Sequence, residues 1–170
     1  MGMTEQLLAD YWDMTSPSDR LETIQRWIAR CHVNGNTLEA LLYVLDDENS
    51  TPIRLAIVAF LHDAKPLEAI PRLTKAMFDA DPRIRAQAAN TVAEYDDARL
   101  LAAALPALFD AIPDPATRSA AERAIRCVTG RPADRISTSE RERVRLGEHP
   151  QSLWPDHFAD IPPLPVGFSK

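Results

Sequence analysis

The chain has 170 residues, of which 45% are hydrophobic, 26% charged and 6% aromatic; these are values of a folded globular protein, and one domain is the expectation at this length. A formal charge of −6 argues against phosphate-backbone binding as the main activity, so nucleic acid is not an expected partner. No apolar run approaches the ~20 residues that cross a bilayer, the acidic start at residues 1–12 lacks the basic region of a secretory signal, and two cysteines, Cys31 and Cys127, cannot build a disulfide framework, so a reducing cytoplasm is the expected compartment.

Taken in chain order, residues 3–13 have the apolar spacing of an amphipathic helix. Ser16-Pro17 then reads as a helix start, with a hydroxyl cap and proline in the first turn, where its missing N–H costs nothing. Gly35 stands where a C-terminal cap is wanted. Residues 37–46 form the next periodic segment, and Thr51-Pro52 repeats the start signal. Residues 66–79 follow as a helix, then Asp81-Pro82 as another start with an acidic cap. Residues 99–111 and Asp114-Pro115 repeat the alternation, and Gly130 marks a stop. No glycine lies between residues 36 and 129, which favours helix because glycine costs ~1 kcal/mol against alanine there. Ser139 and Glu142 fit a capping box for a short charged helix ending at Gly147. No segment alternates with period two, so no sheet is expected.

The helices begun at these four starts can be aligned on Arg20, Arg54, Arg85 and Arg118. Three, four, seven and eight positions later stand Thr23, Ile24, Trp27 and Ile28; Ile57, Val58, Leu61 and His62; Ala88, Ala89, Val92 and Ala93; Ala121, Glu122, Ile125 and Arg126. This is one apolar helical stripe, recurring at a period that signals a helical repeat. The segment from Asp81-Pro82 through Arg85, Ala88-Ala89 and Val92 resembles the second helix of a HEAT repeat. The Arg118 helix departs from that pattern at Glu122, the Arg54 helix carries bulkier residues, and the Arg20 helix matches mainly through Asp19-Arg20 and Trp27-Ile28. The resemblance covers residues 3–129. It implies an all-α fold: a right-handed α–α superhelix of about four HEAT-like helix pairs, with a short C-terminal helix and an extended tail rich in proline and aromatic residues. The expected organisation is a repeat domain over residues 1–147 and a tail over residues 148–170, packed as a cap.

Geometry assigns the arginine column Arg20, Arg54, Arg85 and Arg118 to structure. At about 100° per residue these side chains lie beside the apolar stripe. A cation near a helix N-terminus opposes the macrodipole and calls for a carboxylate. Asp46, Asp47, Asp79, Asp81, Asp110 and Asp114 occupy the right turns for such ties. The opposite face carries Glu22, Gln25 and Ala29; Ala56, Ala59 and Asp63; Gln87, Asn90 and Glu94; Ala120, Arg123 and Cys127. In a HEAT-like solenoid the second helices line the concave surface, so the resemblance implies a groove of mixed polarity there. A solvated face and a protein- or peptide-binding face both remain open, the candidate contact residues being Glu22, Gln25, Asp63, Gln87, Asn90, Glu94 and Arg123.

No catalytic constellation is visible. Cys31 and His32 are neighbours and diverge by about 100° on a helix, so Cys31 is read as a buried thiol. His32, His62, His149 and His157 have no metal-ligand spacing; neither a metal nor another cofactor is expected. The tail holds Trp154, His157 and Phe158 and five prolines, three of them in the run Ile161-Pro162-Pro163-Leu164-Pro165, which favours polyproline II. Its aromatics are read either as a cover for the last helix pair or as a partner-contacting motif. The leading function is a non-enzymatic protein–protein interaction module, an adaptor or scaffold. The alternatives are an immunity- or inhibitor-type protein that neutralises a basic toxin or nuclease and, less favoured, a HEAT-like DNA glycosylase or pigment lyase. The oligomeric state is left open.

Overall fold

The computed structural model describes residues 2–30, 35–95, 97–148 and 153. Among these are ten α-helices and no strand: α1 Met3–Trp12, α2 Pro17–Arg30, α3 Gly35–Asp47, α4 Thr51–Ala64, α5 Ile70–Ala76, α6 Pro82–Ala93, α7 Ala98–Ala102, α8 Leu105–Ala111, α9 Arg118–Thr129 and α10 Thr138–Arg145. The chain forms two compact units, with the boundary inside α5, between Arg72 and Leu73.

Helices start where the cap chemistry directs. Pro17 opens α2, Pro82 opens α6, and Pro52 lies in the first turn of α4, where Thr51 is already helical and the N-cap is Ser50, without a side-chain cap bond. Asp81 is the N-cap of α6 and its carboxylate accepts the Arg83 N–H at 2.9 Å. Replacing Asp81 with alanine orphans that donor and is expected to cost about 0.5–2 kcal/mol, read as a lower midpoint in thermal or urea unfolding; a neutral result would remove the cap from the account of α6.

Four expectations need correction. Pro115 does not open α9, which starts at Arg118. Residues 114–117 form a turn instead, because Asp114 accepts the Ala116 N–H at 3.0 Å and the Thr117 hydroxyl donates to the Ala111 carbonyl at 2.6 Å. Gly35 opens α3 rather than closing α2. The segments 66–79 and 99–111 are each divided: a 3-10 turn, Leu67–Ala69, precedes α5, and α7 and α8 are separate. Pro71 and Pro106 supply the reason, since proline lacks the N–H that would continue an upstream helix and its ring clashes there. The capping box of α10 is Ser137 with Glu140, two residues earlier than expected: Glu140 donates its N–H to the Ser137 hydroxyl, and the Ser137 N–H returns to Glu140 Oε2 at 2.9 Å.

In the first unit α1 packs on α3, and α2 packs on both α3 and α4. Its core is built from Ile24, Trp27, Leu41, Val44, Ile57, Val58 and Leu61, all buried. In the second unit α6 and α8 pack on α9, and α10 packs on α8. Ala88, Ala89, Ala121 and Ala124 are fully buried. Small side chains at these positions let α6 and α9 approach closely. The repeating apolar stripe is therefore the buried side of all four second helices, α2, α4, α6 and α9, with Glu122 and Arg126 turned outward on α9.

Candidate functional site

Each second helix turns a consistent set of residues to solvent. Glu22, Gln25 and Ala29 are exposed on α2, Ala59 and Asp63 on α4, Asn90 on α6 with Glu94 at its C-cap, and Arg123 and Cys127 on α9. Ala56 and Gln87 are half-buried. Ala120 is a correction: it is buried, because α9 is enclosed on that side by the helices packed around it. The Arg123 guanidinium donates to the Asn90 side-chain carbonyl at 3.3 Å. That bond joins the outward faces of α6 and α9 into one surface of the second unit. The first unit presents its own face, on the adjacent α2 and α4.

The arginine column divides into individual arrangements. Arg20 meets Glu48 at 3.2 Å. Glu48 is a partner that the sequence reading did not single out. Its side chain is 1% exposed, it accepts the Tyr11 hydroxyl at 2.5 Å, and its other oxygen accepts the Ser50 N–H at 2.8 Å. Burial, then the bond to Glu48, pushes the Tyr11 phenol well above its ordinary range. This cluster links α1, α2 and the turn between α3 and α4. Arg85 repeats the theme in the second unit, donating to Asp114 at 2.6 Å and to the Asp79 and Ala80 carbonyls at 2.9 and 3.0 Å. The Arg85 bond, followed by the Ala116 N–H, holds the Asp114 carboxyl below the usual carboxylate range. That interaction stabilises the fold above the ordinary carboxylate pKa and is lost as the pH falls through the depressed value. Arg54 is half-buried at the start of α4. Arg118 donates to backbone instead, to the Ile112 carbonyl at 3.0 Å and the Pro113 carbonyl at 3.4 Å. A further arginine, Arg72, pairs with Asp46 at 2.6 Å and lies 5.9 Å from the centre of the Tyr43 ring.

Among the described residues no group of three or more histidine, cysteine or carboxylate side chains is arranged to hold a metal. No described helix is long and apolar enough to cross a membrane. Cys31, His32, His149, Trp154, His157, Phe158 and the proline run after residue 160 lie outside the described residues. Within the tail, Leu153 is described and buried. The outer side of α9 bears Ser119, Glu122, Arg123 and Arg126, all exposed.

Comparison with known proteins gives one match. A family model of HEAT repeats matches residues 38–126, more than half of the chain. No curated protein and no solved structure matches.

Proposed function

Because the chain belongs to the HEAT-repeat family, we propose that it is a non-enzymatic protein-interaction module, and that it engages a protein or peptide partner through the outward faces of its second helices. HEAT repeats commonly serve protein interactions. The observation that carries the reading is the surface shared by α6 and α9, where Arg123 reaches Asn90 and Glu94 stands exposed at the C-cap of α6. Donors and acceptors there sit on rigid helices, so a partner meets them without ordering a loop, and preorganisation of this kind lowers the cost of binding. Gln87 on α6, Glu22 and Gln25 on α2 and Asp63 on α4 complete the proposed contact set, each within its own unit. The tail over residues 148–170 is assigned to cover the repeat domain, residues 1–147; the burial of Leu153 supports that assignment.

The test is capture of partners on the tagged chain in its host at low and high salt, beside Asn90→Arg and Glu94→Arg. A stoichiometric protein is expected with the parent chain. Each reversal is expected to weaken it by at least tenfold, about 1.4 kcal/mol, while the thermal midpoint stays unchanged, since both positions are exposed. A partner retained by every face variant overturns the reading. If the captured protein is a basic enzyme silenced by one equivalent of this chain, the role is inhibition; a partner whose activity is unchanged makes the chain a scaffold.

A further inference from the structure

The charge of the chain is unevenly placed. From Arg118 to Arg145 there are eight arginines, no lysine and four carboxylates, within a chain whose net charge is −6. Arg118, Arg123, Arg126, Arg135, Arg143 and Arg145 are exposed. Arg143 is matched by Glu148 at 2.6 Å, and Arg145 by Asp110 and Glu142. Among the described residues, Arg118 and Arg123 donate to neutral oxygens, the carbonyls of Ile112 and Pro113 and the side-chain amide of Asn90.

The first helix has the opposite character. Glu5, Asp10 and Asp13 are all exposed, and no lysine or arginine occurs from Met3 to Asp13. Met3 is 60% and Trp12 42% exposed on the same element. One side of α1 packs on α3, and α10 packs on α8; each is the terminal described helix of its unit.

We propose that the protein associates with a second copy of itself, the acidic helix α1 of one copy seating on the arginine-rich surface of α9 and the Ala133–Arg135 turn that packs on it in the other. Guanidinium groups bind carboxylates in paired, planar geometry, and the exposed Trp12 ring offers an arginine a face to stack on. Met3 and Trp12 supply apolar area on α1. The contact joins two different surfaces, so it need not close as a two-fold dimer and grows with concentration. The charges are exposed, so salt weakens it.

Sedimentation velocity of the full chain over a wide concentration series tests this, at about 0.02 M and about 0.5 M salt, where the screening length falls from roughly 20 Å to roughly 4 Å. The expected result is a mass that rises with concentration at low salt and returns to the monomer at high salt. Arg126→Glu with Arg135→Glu is expected to weaken association at least tenfold at low salt, and so is Asp10→Lys with Asp13→Lys. Mixing the two charge-reversed chains is expected to restore it. A monomer at every concentration and salt overturns the proposal, as does association undiminished in both variants. Binding of polyglutamate to the arginine-rich surface of a chain that stays monomeric also overturns it, in favour of an acidic partner from outside. Circular dichroism establishes that each variant is folded. None of the four substituted residues belongs to the proposed partner face, so a monomeric result leaves the captured-partner experiment to be judged by itself.

Discussion

Replacing Glu48 with alanine is expected to cost the first unit about 3–5 kcal/mol, the range found when one member of a buried ion pair is removed. The carboxylate is buried and takes three donors: the Tyr11 hydroxyl, the Arg20 guanidinium and the Ser50 N–H. Alanine leaves the buried Tyr11 hydroxyl with no acceptor and the Arg20 cation, 21% exposed, without its carboxylate. The destabilisation arises from those orphaned groups more than from the lost attraction. Glu48→Gln keeps an acceptor oxygen of the same reach and is expected to cost less. Tyr11→Phe removes one donor and leaves the ion pair, with an expected cost of about 1–3 kcal/mol. Urea unfolding followed by helix signal reads all three. With a slope of about 2–3 kcal/mol/M, Glu48→Ala lowers the midpoint by roughly 1–2 M. A change below about 0.5 M, or equal losses for alanine and glutamine, would show that the cluster does not hold the helices together.

The second large effect is expected from Ile125→Ala in α9. Ile125 is fully buried on the helix against which α6, α7 and α8 pack. Truncation removes apolar contacts and opens a cavity that rigid neighbours cannot close, at about 2–5 kcal/mol. Cys127→Ala, two residues along on the exposed side, serves as the comparison and is expected within about 0.5 kcal/mol of the parent. The contrast tests the orientation of α9 directly: comparable losses at the two positions would mean that the helix is rotated from its described setting.

Much of the architecture was legible in the sequence for a specific reason. Four cap-and-proline starts and one recurring apolar stripe are local signals, and three starts together with nearly the whole stripe appear in the structure where those signals put them. What failed depended on competition from elsewhere. Asp114 follows the same formula as Asp81 and accepts the same i+2 N–H, yet its carboxylate is also engaged by Arg85 and the Thr117 hydroxyl is drawn back to the Ala111 carbonyl, and α9 begins later. Pro71 and Pro106 were visible, but whether a proline bends a helix or divides it depends on what packs around the break. Glu48 sits in the run Asp46-Asp47-Glu48, where nothing distinguishes the one buried carboxylate from its neighbours until Tyr11 and Arg20 are brought to it by the fold. For the candidate site, the sequence specified which side of each second helix faces outward, with Ala120 the exception. It did not specify the bond from Arg123 to Asn90, which requires knowing that α6 and α9 lie side by side.

The division of the chain by Pro71 and Pro106 bears on the order in which the protein forms. The pieces α5, α7 and α8 contain seven, five and seven residues, well short of the ~12–15 needed for marginal stability as isolated helices in water. Such segments remain coil until a docking surface exists. In the second unit α7 and α8 pack on α9, so these pieces are expected to become helical only as they dock there. The helices α6 and α9, twelve residues each, stand at that threshold themselves, and their pairing through buried alanines is the expected core on which the short pieces order.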